Sequence, residues 1–580
     1  MVNAVMKVFC SATTLLVCLG AFADVDLGGS WAFRFEEGKC LEEVADGLGS
    51  RPCQMTDTIV VPGCYDMMPK WYMKRGTGLY RRAFTLDKPM EDAVLVVDGM
   101  GVRAKFAIDG KDLGVHPYPY ARLEISVGQL EAGEHEIFAA IDNILEWPRV
   151  KLVRPYYDFY LYGGFYHGVK LVEKAPKVFV RTLDYKTGKV EVEIEGGGDS
   201  SATLAFDGGK EANVKLSDGR ATVSVPDFRL WSPELPVLHK VSIKLSTFNF
   251  QLSTHFGIRQ IEAKNRKIYL NGKELFLKGF NRHESDWQNG AATDEALMLQ
   301  DIQRLKAVGG NFIRGAHYQQ CERFLDLCDE NGVLVWEESL GWGNGQDYVN
   351  NNFPPNELKD GEFCEMQVKE TRDMVRASFN HPCVVIYGFL NECASYRPEC
   401  KVLVDRLAET IRAENSGRLV SFACNSTDGD ICCSNMDIVA FNAYPGVIPM
   451  APGDKAALAK SVSDTFNGIV AKFRERYPDK PIMVSETGCG ADFGRRGEYA
   501  SPNTEEFQGE YLADVFDTLW SNPDVVGFAI WQMNDGRTRE RFGGRAVSAM
   551  FGGSIAGVFD RYRRPKLSAE TVRKYFNMKQ

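Results

Sequence analysis

The sequence predicts a chain of several domains, in which two all-β sandwiches precede a closed (β/α)8 TIM barrel. The chain has 580 residues and a mass of 64.9 kDa, which is too long for one hydrophobic core. Its first part consists of short apolar strands separated by Gly, Pro and Asp. Its second part alternates apolar strands with amphipathic helices. We therefore expect a multidomain protein of the all-β and α/β classes.

Residues 1–23 have the features of a secretory signal peptide. Lys7 precedes the apolar stretch "VFCSATTLLVCLGAFA", which closes on the small-x-small pattern of Ala21, Phe22 and Ala23. The run is too short for a membrane span, and a buried N-terminal helix is the alternative. No later segment is long and apolar enough to cross a bilayer. We expect a mature chain that begins near Asp24 and is secreted or periplasmic.

Residues 24–180 and 181–257 predict the two sandwiches. In the first, Asp109-Gly110 separates two apolar runs and predicts a two-residue hairpin turn. We expect a jelly-roll-like sandwich of the sugar-binding type there. In the second, "VEVEIEGGGDSSATLAF" alternates apolar and polar residues until Gly196 to Gly198 interrupt it. Its length and strand spacing predict an immunoglobulin-like sandwich.

Residues 258–580 predict the barrel. Asn271-Gly272 forms a further hairpin turn, Thr293 can cap the first helix, and Gly309 ends it. The connection between the fifth and sixth strands has no clear helix. The strand count is nevertheless that of a closed parallel barrel. The candidate strands are "ELFLKGF", "NFIRGA", "VLVWEE", "VVIYGFL", "LVSFA", "DIVAFNA", "PIMVSE" and "VVGFAIW".

Charge and cysteine content exclude some classes of function. The 68 basic and 78 acidic residues give 68 − 78 = −10, which disfavours nucleic acid or an anionic membrane as a partner. The 15 cysteines show no C-x-x-C pair and no histidines at ligand spacing. We read them as mostly buried apolar residues with a disulfide or two, and we predict no metal and no cofactor.

Two glutamates stand at the ends of barrel strands. Glu392 follows the fourth strand in "VVIYGFLNE", and Glu486 ends the seventh in "PIMVSE". A lone Glu at a strand end is more often a solvated residue, but the carboxyl ends of barrel strands form the face where catalytic groups meet. Two carboxylates across one mouth are the pair used in glycoside hydrolysis. Glu337 and Glu338 end the third strand, and for Glu338 a supporting hydrogen bond is the favoured interpretation.

The chain resembles glycoside hydrolase family 2 from about Asp26 to its C-terminus, with closest similarity to the β-glucuronidase and β-galactosidase branch. The resemblance rests on "DLGGSWAFRFE" and "YYDFYLYGGFYHGV" in the first sandwich, "LWSPELPVLHKVSI" in the second, and "GIRQIEAKNRKIYLNGKELFLKGFNRHE" at the barrel entry. It implies that Glu392 in "NE" is the general acid/base and that Glu486 in "SETG" is the nucleophile.

The resemblance also implies roles for other residues. Asn391 matches the amide that contacts the sugar 2-hydroxyl, and Arg314 matches an arginine that keeps the nucleophile ionised. Tyr444 matches a tyrosine that donates to the nucleophile, and Trp531 matches the floor of the sugar site. The two remaining matches are the pocket histidines His283 and His317, for which a structural role at a strand end is the alternative.

One family feature is missing. β-Glucuronidases carry an Asn-x-Lys pair after the eighth strand that grips the sugar carboxylate, whereas this sequence has Ser554, Ile555 and Ala556 there. A carboxylate in a desolvated pocket needs a charge-assisted partner. The loop "NDGRTRERFGGR" contains four arginines that could replace the lysine: Arg537, Arg539, Arg541 and Arg545. The equally favoured alternative is that these arginines are solvated loop residues.

The sequence thus predicts a retaining exo-β-glycosidase that needs no cofactor and acts on a carbohydrate or glycoconjugate, with a slight preference for a β-uronide such as a galacturonide or glucuronide. A neutral-sugar β-galactosidase-type enzyme is the alternative. A non-catalytic carbohydrate-binding protein on the same scaffold is a rival from another class, which we would expect to have lost Glu392 or Glu486. The oligomeric state, including a homo-oligomer, stays open.

Overall fold

The structure, a computed structural model, describes residues 24–50, 54–146, 149–245, 251–347, 356–446, 454–497, 502–538, 547–548 and 553–578. The predicted signal peptide, residues 1–23, lies outside these ranges. Within them, no helix is long and apolar enough to span a bilayer. The described chain forms two sandwiches and a barrel, which confirms the predicted fold class.

The first sandwich packs a four-stranded sheet, in the order β1-β12-β6-β9, against a six-stranded sheet, in the order β3-β2-β5-β10-β7-β8. Alternation places its core: in β9, Leu123, Ile125 and Val127 are buried while their neighbours face outward. A short helix α1 (Leu41–Val44) packs against β7 and β10 of the six-stranded sheet. The strands are β1 (Val25–Asp26), β2 (Gly29–Glu37), β3 (Asp57–Val61), β4 (Gly63–Cys64), β5 (Gly76–Leu86), β6 (Met90–Asp98), β7 (Arg103–Ile108), β8 (Lys111–His116), β9 (Arg122–Leu130), β10 (Gly133–Asp142), β11 (Gly164–Phe165) and β12 (Val169–Glu173).

The second sandwich has a three-stranded sheet, β13-β14-β17, and a four-stranded sheet, β16-β15-β18-β19. Its first strand begins at Val178, so the boundary drawn between residues 180 and 181 falls within a strand. The bounds are β13 (Val178–Asp184), β14 (Lys189–Ile194), β15 (Ser201–Phe206), β16 (Ala212–Lys215), β17 (Arg220–Ser224), β18 (His239–Leu245) and β19 (Gln251–Phe256).

A three-stranded meander, β20 (Ile261–Lys264), β21 (Lys267–Leu270) and β22 (Lys273–Leu275), leads into the barrel. The parallel sheet then closes, because its first strand pairs with both the second and the last. The predicted fifth strand is divided into two segments that lie at the two ends of the sheet order, and a short 3-10 turn takes the place of a helix after it.

The barrel elements follow the predicted alternation. The strands are β23 (Leu277–Arg282), β24 (Phe312–Gly315), β25 (Leu334–Glu338), β26 (Val384–Gly388), β27 (Leu419–Val420), β28 (Ala423–Cys424), β29 (Val439–Asn442), β30 (Ile482–Thr487) and β31 (Val525–Ile530), followed by the short strands β32 (Gly536–Arg537), β33 (Val547–Ser548) and β34 (Gly553–Ser554). The helices are α2 (Glu295–Ala307), α3 (Glu322–Asn331), α4 (Gly361–Ala377), α5 (Pro398–Ala413), α6 (Lys455–Arg476), α7 (Glu505–Ser521) and α8 (Ser568–Met578).

Local turn chemistry agrees with the sequence in two places and differs in one. Asp109-Gly110 and Asn271-Gly272 both have positive φ at each residue, as the predicted hairpin turns require. The predicted cap Thr293 is wrong: Asp294 caps helix α2 by accepting from the backbone N–H of Leu297. Thr293 instead donates to a buried carboxylate, Glu284, at 3.1 Å, so a tertiary contact outweighs the local capping preference.

The cysteines are mostly apolar core residues. All of those in the described ranges are free, and all but Cys364 are buried. The expected disulfides are therefore absent from the part of the chain that the structure describes.

Candidate active site

Glu486 lies at the C-terminal end of β30 and is 3% exposed. Its Oε1 accepts from Nη1 of Arg314 at 2.6 Å, and its Oε2 accepts from the hydroxyl of Tyr444 at 2.6 Å. Both oxygens are thus oriented, and a buried guanidinium compensates the negative charge. This is the arrangement that a carboxylate nucleophile needs.

Glu392 has different surroundings. It follows β26 after three intervening residues and has a left-handed backbone (φ 52°), which is uncommon for a residue with a side chain and occurs at functional sites. Burial, and next the negative charge of Glu486, raise its pKa to about 7, although a hydrogen bond from Asn442 to Oε1 at 2.9 Å opposes the shift. A carboxyl that keeps its proton near neutral pH is suited to general acid catalysis.

Arg314 joins the groups of the site from the end of β24. It is fully buried, and besides Glu486 it donates to Oε1 of Glu338 at 2.7 Å and to Oδ1 of Asn281 at 2.9 Å. Burial opposes its charged form, but Glu338 and Glu486 outweigh this and raise its pKa. Glu338 therefore has the supporting role favoured from the sequence, as a partner of the arginine.

Asn391 offers an unused donor to the pocket. Its Oδ1 accepts from Nη2 of Arg314 at 2.9 Å and from Nδ2 of Asn442 at 3.2 Å, which fixes the orientation of the amide. Its Nδ2 is buried and has no partner among the described residues. A buried donor without a partner is costly, so a substrate oxygen is its natural acceptor.

An aromatic group forms one side of the pocket. Trp531 follows β31 and stacks on the imidazole of His317 at 5.3 Å, while His283 meets the same indole edge-on at 5.3 Å. Burial, and next the charge of Arg314, lower the pKa of His317 to about 3. Its Nε2 is buried, lies 3.9 Å from Oε1 of Glu486 and has no hydrogen-bond partner among the described residues. His317 is thus a neutral imidazole facing the nucleophile.

Asp158 is a site residue that the sequence reasoning missed. It belongs to the first sandwich, and burial followed by the charges of Glu486 and Glu392 raises its pKa to about 8. Its Oδ1 has no partner among the described residues. The ring of the next residue, Phe159, lies 5.4 Å from His283. The only signal in the sequence is a carboxylate between aromatic residues in "YYDFYLYG", a motif that matches the first sandwich of the family.

The arginine loop is described only at its start. Arg537 lies on β32, while Arg539, Arg541 and Arg545 lie outside the described residues. The Arg537 guanidinium is buried between Tyr72 of the first sandwich, whose hydroxyl accepts at 2.6 Å, and Trp287, whose carbonyl accepts at 3.2 Å. It has no carboxylate partner in the described chain, and its Nε is unsatisfied there.

The residues at the Asn-x-Lys position provide no cation. Ser554 pairs with Gly536 in the short sheet after the barrel, and its hydroxyl accepts from the N–H of Ala556 at 3.3 Å. Ile555 and Ala556 are buried apolar residues. Recognition of a sugar carboxylate by the usual lysine is therefore ruled out at this position.

In the described ranges, the groups of side chains that could ligate a metal ion do not include Glu392 or Glu486. One such group joins His167 of the first sandwich to Glu284 and Cys321 of the barrel, and its ligand atoms lie within 4.8 Å of one another. Glu284 already pairs with His167 at 3.1 Å and accepts from Thr293, so these contacts explain the group as an interdomain joint.

The barrel presents one carboxylate held by a buried guanidinium and one carboxyl with a raised pKa, an arrangement typical of a glycoside hydrolase. Both acids that a non-catalytic sugar-binding relative would be expected to lose are present. The family model for the glycosyl hydrolases family 2 TIM barrel domain matches residues 261–580. The chain belongs to glycoside hydrolase family 2.

Similarity to individual proteins extends over almost the whole chain. A β-glucuronidase from Streptococcus agalactiae is 26% identical over 596 residues, which covers 95% of each chain. The crystal structure of a GH2 β-galacturonidase from Eisenbergiella tayi bound to galacturonate is 27% identical, with a TM-score of 0.81 and coverage of 97% of this chain and 98% of that one. A β-glucuronidase from Faecalibacterium prausnitzii is 25% identical, with a TM-score of 0.83 and coverage of 97% and 98%.

Proposed function

We propose that the chain is a retaining exo-β-glycosidase that removes a terminal β-linked uronic acid, a galacturonide or a glucuronide. The observation that carries the proposal is the contrast between its two acids: Glu486 is held by Arg314 and Tyr444, whereas the pKa of Glu392 is raised to about 7. The similarity to β-glucuronidases and to a β-galacturonidase supports a uronide as the sugar.

In the first step, the Glu486 carboxylate attacks the anomeric carbon while Glu392 donates its proton to the departing glycosidic oxygen. Arg314 and Tyr444 keep both Glu486 oxygens oriented for attack. The unused donor of Asn391 binds the sugar 2-hydroxyl, a contact that strengthens as positive charge develops on the ring.

In the second step, the ionised Glu392 takes a proton from water, which attacks the glycosyl–Glu486 ester from the side that the leaving group vacated. Two inversions return the β configuration. Glu392 loses its proton in the first step and regains one in the second, so a pKa near neutrality serves both directions.

The first sandwich supports exo action. Asp158 and Phe159 extend from it over the barrel mouth, where the Phe159 ring packs against His283 and His317. A segment that covers one side of the mouth limits the pocket to a terminal sugar. The unsatisfied Asp158 Oδ1 and His317 Nε2 are positioned as partners for its hydroxyl groups.

Arg537 supports recognition of the sugar carboxylate. It is a buried guanidinium without a carboxylate partner in the described chain, and the following residue, Thr538, pairs with Phe159 beside the pocket. A guanidinium can bind both oxygens of a carboxylate. We assign Arg537 as the replacement for the missing lysine; the remaining arginines of its loop stay predictions.

A neutral-sugar β-galactosidase-type activity is the second candidate. It is favoured by Ser554, Ile555 and Ala556, which leave no cation where family members grip the carboxylate. A set of aryl β-glycosides that differ only in the sugar separates the two proposals. Faster hydrolysis of the galacturonide or glucuronide supports the first, and faster hydrolysis of the galactoside overturns it.

The stereochemistry is tested separately. NMR of the first-formed sugar should show the β-anomer, and an α-anomer appearing first would overturn the double displacement. We further propose, from residues 1–23 alone, that the chain is exported, and mass spectrometry of the mature N-terminus would test cleavage near Asp24.

A further inference from the structure

Aromatic rings and arginines alternate along the rim of the barrel mouth. Each guanidinium in the series lies over the rings on either side of it, so the contacts form one continuous chain of cation–π pairs. We call this series the aromatic–arginine ladder, and it consists of Tyr72, Arg537, Trp287, Arg561, Tyr562, Arg564 and Phe493.

The contacts are close along its whole length. Arg537 lies 4.9 Å from the Tyr72 ring and 4.3 Å from the Trp287 ring. Arg561 continues the series at 4.7 Å from Trp287 and 5.4 Å from Tyr562. Arg564 then lies 5.5 Å from Tyr562 and 3.9 Å from Phe493. The arginines thus link the rings of the first sandwich and of three barrel loops into one series.

Three rings of the ladder are exposed, whereas its Arg537 end is buried and adjoins the sugar pocket. Tyr72, Phe493 and Tyr562 are 48%, 41% and 51% exposed, so parts of these rings are accessible to a ligand. Trp287 and Phe493 lie in loops that follow the first and seventh barrel strands, on the face where catalytic groups meet. The Arg537 end adjoins the pocket, because the next residue, Thr538, pairs with Phe159.

The ladder carries positively charged side chains, whereas the chain as a whole is negatively charged. Three arginines lie together on a protein of net charge −10. Arg537, at the pocket end, has no carboxylate partner within the described residues and is the cation proposed above for the sugar in the pocket. Beyond it, the 2.6 Å ion pair of Arg564 with Asp560 leaves the Arg564 side chain 54% exposed. Exposed rings alone are also a feature of protein interfaces, but alternation with arginine at a sugar pocket matches an acidic ligand.

We propose that the aromatic–arginine ladder binds an oligosaccharide that carries several uronate carboxylates, and that it holds such a chain beyond the sugar that enters the pocket. The proposal rests on the proposed function and deepens it, since it makes an acidic glycan the substrate class. Ring faces stack on the C–H faces of sugars, and arginines pair with carboxylates between them.

Single-stranded nucleic acid is the other ligand that combines flat rings with regular negative charge. The net charge of −10 disfavours it, because phosphate backbones require an overall basic surface. It therefore enters the test as a competitor.

The test measures binding to the inactive Glu486→Ala protein by calorimetry. The probes are a hyaluronan hexasaccharide, which carries repeated carboxylates, and a chitin hexasaccharide, which is neutral. We expect tighter binding of the acidic probe, and Tyr562→Ala with Phe493→Ala should weaken it about tenfold. Tyr562→Phe keeps the ring and should keep the affinity. The matched control, Tyr185→Ala, removes a ring beside Lys186 on the second sandwich and should change nothing.

Equal binding of both probes, an unchanged affinity in the double variant, or equally strong competition by a thymidine oligonucleotide would overturn the proposal. Hydrolysis of a small aryl β-uronide by the native protein tests the proposed function by itself. Cleavage of the aryl uronide without binding of the acidic probe would overturn the ladder proposal only. Binding of the acidic probe through Tyr562 and Phe493 without cleavage of any uronide would overturn the proposed function only.

Discussion

Glu392 and Glu486 are the same residue type at two strand ends of one barrel, yet their surroundings differ in kind. Glu486 receives a guanidinium and a phenol, one on each oxygen. Glu392 accepts a hydrogen bond from the amide of Asn442, while burial, and next the negative charge of Glu486, raise its pKa. The comparison teaches that the proposed division of roles depends on the neighbouring groups, because the acid without a cation of its own is the one with the raised pKa.

Removing Glu486 should have the largest effect, because it is the proposed nucleophile of the glycosyl intermediate. We expect Glu486→Ala to lower kcat on every aryl β-uronide by about 10⁴-fold or more. Glu337→Gln is a matched control: this buried strand-end acid, whose pKa burial raises to about 7, meets the backbone N–H of Gln320 away from the mouth, and its loss should cost less than about tenfold. Comparable losses in both variants would refute the assignment.

Removing Glu392 should divide the substrates by leaving group. Glu392→Ala should lower the rate of the first step by about 10²- to 10⁴-fold on a substrate whose leaving group needs a proton. The loss in this step should be far smaller on a substrate with a good leaving group. Azide should restore turnover and give the β-glycosyl azide, whereas azide with Glu486→Ala should give the α-anomer. The opposite pairing of anomer and variant, read by NMR, would mean that the two roles are exchanged.

Arg537→Ala should have an intermediate effect that depends on the sugar. Loss of a charge-assisted hydrogen bond of about 1.5 to 3 kcal/mol should lower kcat/KM on the uronide by roughly tenfold to a hundredfold. The neutral galactoside should be affected far less. Arg323→Ala serves as the control, because it removes a half-buried arginine of helix α3 that pairs with Glu295 of helix α2 and Glu330 of helix α3. Equal losses on both sugars would show that Arg537 is structural.

The smallest effect should be a shift in pH dependence. Glu392 must be protonated to act as the acid, so kcat/KM on a poor leaving group should fall as pH rises through about 7. Asn442 lowers the pKa of Glu392, so Asn442→Ala should move this limb to higher pH, by less than about one unit. Ser485→Ala removes a contact to Asn442 without touching Glu392 and should leave the limb in place. A shift to lower pH would contradict the proposed cause.

The sequence predicts most of the fold because apolar runs and turn residues report local structure. The barrel strands and the Asn271-Gly272 hairpin lie where the pattern places them. The fifth strand is divided in two, and Asp294 displaces Thr293 as the helix cap, because the tertiary partner Glu284 claims the threonine hydroxyl. Competition of this kind is not visible in a local pattern.

The candidate site shows the same limit. Strand-end position identifies both glutamates, and the structure brings them together with the arginine, asparagine, tyrosine and tryptophan that the resemblance named. Asp158 could not be found in this way, since it comes from another domain and no periodicity connects it to the barrel. The raised pKa values of Glu392 and Asp158 also arise only in the folded pocket, from burial and from the negative charge of neighbouring carboxylates, above all Glu486.

The pair of Asp158 and Glu392 has a consequence for the proton balance of binding. Their pKa values of about 8 and about 7 mean that both carboxyls exchange protons with water near neutral pH. An anionic sugar placed beside them raises both pKa values further, so it draws protons from the buffer as it binds. Affinity for a uronide should therefore increase as pH falls, and its heat of binding should vary with the ionisation enthalpy of the buffer. The pocket would then accommodate a negative charge in part by taking up hydrogen ions.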